Sequence, residues 1–399
     1  MDTVLQISVG ASASAAQFSW ASLLGQRMVQ KVSFTINGNP LDEYQTDVQN
    51  FHYHFFITPN KRPGWNRMMG QENPTTGYLP VDSTGTITQR EVRAVVNGLQ
   101  TPKLAHDAFT LYVPLLFWFN LDPRLAIPSV AIPYGQRFIN VTLDSLTNLA
   151  RTTTGAAVVF TTTPTITDMN IYINNIFVNK EIHDIYIARI GFNLIRVHRY
   201  QVTRLTKTTD EILLQQIKWP IETMYIGFRP TSSTNLAAAP NRVMQRWYTY
   251  SAYSSQAVRL TRATQPPAVA ATEYPSVDFD QCQNSVSRIT LTAHGIPLYN
   301  DIPVEFFSSY QPYTYGQQHI NTPEDCGALM LNFCLYPGSY QPSGHLNISQ
   351  QNLLLKKSES NIRRTADNRQ LHMHADELSS ICNMVNSVNC LVKLQITVI

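Results

Sequence analysis

Charge is scarce in this chain. Lys, Arg, Asp and Glu make up 14% of its 399 residues, against roughly 25% in an average soluble domain. The 30 basic and 27 acidic side chains leave a formal charge of only +3. No block of either sign is large enough to follow a phosphate backbone, which argues against nucleic acid as a direct partner. There is no run of 18 or more apolar residues to span a bilayer. Met1 to Ser22 lacks the basic start and continuous apolar stretch of a secretion signal, so the expectation is a soluble, non-secreted protein. The five cysteines, Cys282, Cys326, Cys334, Cys382 and Cys390, form no CxxC pair. That pattern argues against a zinc site and is expected to give free buried thiols in a reducing cytoplasm. Neither a Gly-x-Ser-x-Gly elbow nor a phosphate-binding glycine loop occurs, so acyl and phosphoryl transfer have no machinery.

What is present is apolar and aromatic. Hydrophobic residues reach 43%, with 19 Tyr, 17 Phe and 23 Pro, enough to build real cores and to exclude a disordered chain. Segments of five to eight residues rich in Val, Ile, Phe, Tyr and Thr recur between Pro, Gly and Asn clusters, and almost nothing before Ser349 keeps a helical period. Lys31 to Ile36 alternates towards the turn Asn37-Gly38-Asn39-Pro40. Leu111 to Asn120 reads as a strongly apolar strand, and Gln136 to Leu143 follows the turn at Pro133-Tyr134-Gly135. Ala156 to Thr163 closes a first unit, and a boundary is placed near Asp168. Strands then follow at Asn170 to Val178, Ile185 to Val202, Leu213 to Trp219, Met224 to Phe228, Val286 to Thr292, Val304 to Phe307 and Ala328 to Leu335. An Ala, Ser, Thr and Pro-rich excursion from Arg229 to Asn284 is longer than a simple connection in a compact domain. The pattern predicts an all-β protein of two successive antiparallel β-sandwiches, residues 1–168 and 169–350, with a long surface loop at 229–284. No period of 40 to 50 residues repeats, which weakens a propeller.

Five features of the chain could carry site chemistry. His52-Tyr53-His54 has the His-x-His spacing that strand alternation would put on one face, but Phe55 to Thr58 supply no carboxylate, so an aromatic-rich strand is the better reading. His372-Met373-His374 with Asp376 and Glu377 has better ligand composition but sits in an atypical segment. Asp42 and Glu43 are adjacent and would face opposite ways, and Pro303 separates Asp301 from Glu305, so neither pair suits glycosidase chemistry. Glu43 reads as a turn residue. Arg189, Arg196, His198, Arg199, Arg204 and Lys207 lie in a stretch with no acid between Asp184 and Asp210. An internally paired or solvated strand face is favoured there over an anionic contact. Asn140-Val141-Thr142 and Asn347-Ile348-Ser349 match the glycosylation spacing and read as accidental. No catalytic, cofactor-binding or metal residue is assigned, and no cofactor is expected.

Several stretches carry a resemblance. They are Phe34-Thr35-Ile36-Asn37-Gly38-Asn39-Pro40-Leu41-Asp42-Glu43-Tyr44, Gly98-Leu99-Gln100-Thr101-Pro102-Lys103, and Phe117-Trp118-Phe119-Asn120 through Leu125-Ala126-Ile127-Pro128-Ser129-Val130 to Phe138-Ile139. The second unit adds Tyr172-Ile173-Asn174-Asn175-Ile176-Phe177-Val178, Leu194-Ile195-Arg196-Val197-His198, Lys218-Trp219-Pro220-Ile221-Glu222, Thr292-Ala293-His294-Gly295-Ile296 and Tyr340-Gln341-Pro342-Ser343-Gly344-His345. Together they cover most of Lys31 to Ser349. In them the chain resembles the major capsid proteins of the nucleocytoplasmic large DNA viruses, most closely the branch that includes African swine fever virus and faustovirus. The resemblance implies a double jelly roll and a homotrimer forming a pseudo-hexagonal capsomer of an icosahedral shell. It also implies minor capsid and penton proteins as partners, an inner viral membrane nearby, a place in the virion after assembly in the host cytoplasm, and no enzymatic activity. The Arg229 to Asn284 excursion then resembles a turret loop.

Both ends depart from that pattern. Relatives carry early jelly-roll strands in a long segment before the position matching Lys31, so a first sandwich lacking them is expected here. Lys356, Lys357, Glu359, Arg363, Arg364, Asp367 and Arg369 crowd the final segment 351–399, which reads as helical or disordered. This composition change suggests an incompletely spliced, frame-altered or partial version of a longer capsid protein. The alternative function is a carbohydrate- or receptor-binding β-sandwich of a viral spike or fibre, motivated by Trp247, Tyr248, Tyr250 and Tyr253 on a loop.

Overall fold

The computed structural model describes residues 3–72, 75–78, 91–94, 98–127, 137–189, 192–203, 210–214, 220–230, 244–258, 277–284, 286–293, 295–339, 341–347, 353–359 and 378–393. Strands and helices are numbered in chain order. Alternation of apolar with small or polar residues builds the first sandwich. In β1 (Thr3–Val9) every second residue is buried, and Leu5, Ile7 and Val9 enter the core. β1 lies between β8 (Phe109–Pro114) and β12 (Ile166–Ile173). A second sheet centres on β2 (Ser12–Trp20), flanked by β7 (Lys103–His106), β10 (Ala150–Thr152) and β11 (Phe160–Thr162). A third runs β4 (Asn39–Gln45), β3 (Val29–Ile36), β9 (Arg137–Leu143). The β3–β4 hairpin turns on Asn37 (φ 54°) and Gly38 (φ 79°), the left-handed pair that a two-residue hairpin needs. β5 (Thr75–Tyr78) and β6 (Glu91–Ala94) pair separately.

The second sandwich has two sheets. One runs β13 (Phe192–Thr203), β22 (Leu378–Lys393), β15 (Ile221–Pro230), β20 (Ala328–Asn332). The other runs β14 (Asp210–Leu213), β21 (Leu353–Glu359), β18 (Val286–Ala293), β19 (Ile296–Pro303). β16 (Ala252–Val258) and β17 (Val277–Gln283) form a two-stranded ribbon. Helices α1 (Leu24–Met28), α2 (Thr46–Phe55), α3 (Arg62–Met68), α4 (Trp118–Leu121) and α5 (Lys180–Arg189) fill the connections. All described strand pairs are antiparallel, and most join residues far apart in sequence, as in β1 with β12.

Several readings are corrected by these pairings. Against the expectation of a first sandwich lacking early strands, the residues ahead of Lys31 supply β1 and β2, each with strands paired on both sides. The expected divide near Asp168 falls inside β12, whose residues pair with β1 from Thr3 to Val9. The final segment contributes β21 and β22 instead of a helix or coil. Its local pattern is uninformative because the strand is chosen by distant partners, β14 and β18 for one and β13 and β15 for the other. Leu111 to Asn120 stops being a strand at Pro114 and turns into α4. Ile185 to Arg189 belongs to α5, and Val304 to Phe307 enters a helical stretch that continues through Phe306–Tyr310 and Gln311–Tyr315. Arg363, Arg364, Asp367, Arg369 and the His372 to Glu377 group lie outside the described residues.

Burial is uneven across one face of the first sandwich. Val113, Leu5 and Ile171 form one cross-strand row, and Leu111, Ile7 and Met169 the next. Directly opposed residues share a face, so Ile171 and Met169 continue the core side of the sheet. Yet Leu5 and Ile7 are fully buried whereas Ile171 and Met169 are 39% and 52% exposed. Ile7→Ala should therefore cost about 2–5 kcal/mol, the usual price of a buried cavity, and Ile171→Ala under about 1 kcal/mol in the isolated subunit. Urea unfolding of both variants checks this, and equal losses would contradict it.

Candidate functional site

The two sandwiches meet along α2, and the motifs of both converge there. Thr46 starts this helix by donating its hydroxyl to Val29 O at 2.7 Å, Asp47 favours the positive N-terminal end, and Val48, Phe51 and Phe55 form its buried stripe. The stripe packs on the β13-β22-β15-β20 sheet. Its strands β15 and β20 are buried on both faces, so Ile221 to Phe228 reads as one apolar run with a single charge. Met224, Ile226 and Phe228 of β15, with Leu329 and Leu331 of β20, face the core of the second sandwich. Tyr225, with Ala328 and Met330, faces the other way, into a cluster continuous with the first core.

Aromatic contacts fill this second face. Phe51 stacks on Tyr250 with ring centres 4.7 Å apart and planes 10° apart, and Phe55 meets Tyr225 at 4.9 Å. Gly227 lies beneath Tyr250, where a Cβ would come within 2.3 Å of the ring, so only glycine permits this approach. Burial raises the Tyr225 hydroxyl far above its ordinary pKa and pushes Tyr248 up to about 12.

Ion pairs border the aromatic layer. Asp42 on β4 is fully buried and accepts from His198 N at 2.8 Å and from His198 Nδ1 at 3.0 Å. Arg196 Nε donates to Glu222 Oε2 at 2.9 Å, and its Nη2 to Ser339 O at 2.6 Å. Burial raises the Glu222 carboxyl despite Arg196 beside it. Arg229 lies over the Tyr250 ring at 5.2 Å and pairs with Asp47. Asp325 accepts from Tyr250 N at 2.5 Å and from Gly327 N at 2.9 Å. Such pairs add directional register to an apolar contact, and losing one partner leaves a buried group unmatched.

The sequence-selected residues separate cleanly here. His52 and His54 sit on α2, not on a strand, because the 48-51-55 stripe wins over the local aromatic content. His54 Nε2 lies 3.1 Å from Tyr248 O, and His52 stacks on Phe56. A cleft of about 360 Å³ at the junction is lined in part by His52, His198 and His319, but no set of three or more His, Cys, Asp or Glu among the described residues is arranged to hold a metal. Glu43 is in β4 and pairs with Lys31 at 2.8 Å, facing away from Asp42. Asp301 pairs with Arg288 at 2.9 Å, remote from Glu305 in role. Of the basic stretch, Arg196 and His198 are internally paired, and Arg204 and Lys207 lie outside the described residues. Cys334 is a buried thiol, its pKa raised by burial, and Cys326 is half-buried; neither forms a disulfide. Asn140 lies in β9, and Ile348 and Ser349 lie outside the described residues.

The aromatic loop is corrected most sharply. Trp247 and Tyr250 are buried, Trp247 Nε1 donates to Ser22 O at 2.6 Å, and Arg27 lies over its ring at 5.2 Å. Within the 229–284 excursion, residues 244–250 thus pin the junction, which takes Trp247 and Tyr250 out of the loop display behind the carbohydrate-binding alternative; the Tyr253 side chain lies outside the described residues. Residues 231–243 and 259–276 lie outside the described residues. Sequence reasoning missed Asp47, Phe51, Tyr225 and Asp325. The 48-51-55 spacing and the continuous run at Ile221 to Phe228 were the available signals.

Two stacked antiparallel sandwiches in one chain, joined in this way, are the double jelly roll of viral capsid subunits. The chain matches the large eukaryotic DNA virus major capsid protein family over residues 174–394 and the major capsid protein N-terminus family over residues 2–179. It therefore belongs to the large eukaryotic DNA virus major capsid protein family. The match runs through residue 394 and so takes in most of the 351–399 segment. It is 31% identical to the hexon protein p72 of African swine fever virus, covering 82% of this chain and 65% of that protein. The chain thus spans about 65% of the length of that relative. The faustovirus major capsid protein superposes with a TM-score of 0.79 at 28% identity, covering 97% of this chain and 84% of that one. The PBCV-1 virus capsid subunit shares the fold with a TM-score of 0.65 at 17% identity, over 98% and 86% of the two chains.

Two outcomes follow from the junction. Asp42→Ala strands two buried donors of His198 and should cost about 2–4 kcal/mol in urea unfolding, with Asp42→Asn milder; a neutral Asp42→Ala would contradict the pairing. Burial, reinforced by His198, holds His52 at about 4, and burial lowers His54 as well. Both titrate near 6.5 when unfolded. The unfolded chain therefore binds more protons, and stability is full well above pH 6.5 and lost as pH falls towards the folded values, by about 1.4 kcal/mol at pH 5.5 from His52, with a further loss in the same direction from His54. A thermal midpoint that drops between pH 7.5 and 5.5, and drops less in the His52→Gln/His54→Gln variant, is expected; a flat profile would contradict it.

Proposed function

We propose that this chain is a shell subunit that assembles with copies of itself into trimeric, pseudo-hexagonal capsomers of an icosahedral virus shell. The observation that carries this reading is the shared core at α2, which locks two jelly rolls into one block. Three such blocks offer six similar corners on threefold symmetry, and hexagonal packing needs that shape. Low charge supports it, because apolar surface buried between copies gains about 25 cal/mol per Å². Family membership and the relative named as a hexon protein support it as well.

The finer parts of the proposal follow from the same reading. Residues through β12 form the first jelly roll and those from β13 onward the second. Minor capsid and penton proteins join the shell, an inner membrane lies nearby, and assembly takes place in the host cytoplasm. The subunit does no catalysis and makes no direct contact with nucleic acid. Light scattering of the native chain after gentle chromatography tests the central part. A particle of about 135 kDa, three times the 45.1 kDa chain, is expected, and a stable monomer at micromolar concentration would overturn it.

A further inference from the structure

Among the described residues two apolar surfaces stand open, one on each sandwich. The first is a strip of twenty residues from Ile166 to Ile185. β12 is an edge strand, all eight of its residues are exposed, and its Met169, Ile171 and Ile173 prolong the core face of β1. Ile176, Phe177 and Val178 follow, with Phe177 93% exposed, and then Ile182 and Ile185 on α5. Scaling each apolar side chain by its exposed fraction gives on the order of 1,000 Å², above the largest patch of a typical monomer and close to the ~800 Å² that one partner contributes to a stable interface. From Ile166 to Asn179 the only charged residue is Asp168.

The second surface is an open groove of about 380 Å³ on the second sandwich, lined by Tyr299, Phe306, Tyr315, Phe333 and Leu335 among others, none of its lining residues charged. Tyr310, Tyr313 and Tyr336 are exposed in the neighbouring helical stretch and loop. The two surfaces match in character: one is an apolar strip with a protruding aromatic, the other an uncharged aromatic groove. They differ in identity, which is the requirement of a head-to-tail contact that closes a ring, whereas a twofold contact would use one surface twice.

We propose that the Ile166 to Ile185 strip of one copy docks on the second sandwich of the next copy, with Phe177 inserted in the Tyr315–Leu335 groove as its anchor. This rests on the shell-subunit reading and names the contact that builds the trimer. Buried aromatic anchors carry most of the energy of such interfaces, and around Phe177, from Met169 to Asn179, the strip has no charged residue to desolvate on entering the uncharged groove.

The test uses the full chain. Phe177→Asp and Leu335→Asp are compared by sedimentation velocity with the native protein and with Val159→Asp, an exposed position outside both surfaces, while near-UV circular dichroism monitors folding. The expected result is a trimer for the native chain and Val159→Asp, and a folded subunit whose trimer dissociates at least 100-fold more readily for either anchor variant. A photo-reactive benzophenone amino acid at position 177 should crosslink to residues 299–343 of another copy. A native trimer that survives Phe177→Asp overturns this inference alone, as do crosslinks that land outside the groove. A monomeric native chain overturns the shell reading itself.

Discussion

The rest of the structure depends on two neighbouring strands, β15 and β20, being buried from both sides. A β-sandwich ordinarily keeps its outer faces wet, and β15 and β20 would then alternate apolar with polar residues. Here Tyr225, Ala328 and Met330 are as buried as Met224, Leu329 and Leu331, because α2 and the 244–250 segment cover the outer face. The two jelly rolls therefore do not hang on a linker. They share a layer of Phe51, Phe55, Tyr225 and Tyr250, with Gly227 allowing the closest approach. Removing the helix would expose an aromatic face that water solvates poorly.

This arrangement bears directly on how a shell subunit works. Lateral forces in a capsid act on whole subunits, and a hinge between two domains would let each capsomer shear. Polar pairs at the rim of the aromatic layer set the angle between the sandwiches, since Asp42 is satisfied only when His198 of β13 is in register with β4. The apolar strip along β12 and α5 leaves the block at its edge, where the next copy would be met. One part of the chain thus provides rigidity and another provides contact.

Much of the fold was legible in the sequence where strands alternate and turns carry their own chemistry. The Asn37-Gly38 hairpin, β9 and β18 lie where alternation and turn residues put them, and Asp42 and Glu43 do face opposite sides. The junction was legible only through resemblance, because the motifs around Asp42, Phe117, His198 and Glu222 were visible as words but not as neighbours. His52-Tyr53-His54 misled because aromatic content favours a strand locally, while the stripe of Val48, Phe51 and Phe55 is read only over a longer window. Trp247 and Tyr250 misled for a related reason: they lie in a low-complexity excursion, and nothing local reveals that they fold back beneath Ser22 and Phe51. β21 and β22 were hidden because their partners lie far away in sequence and long-range pairing leaves little mark on a strand's own composition.

The most direct test of the shared core is hydrogen exchange on the native chain, followed by mass spectrometry across a denaturant series. If one core joins the sandwiches, amides of α2, of β15 and of β18 on the far side of the second sandwich lose protection with the same opening free energy. If α2 and the first sandwich open at a clearly lower free energy while β15 and β18 stay protected, the two jelly rolls are independent units and the account of the junction is wrong.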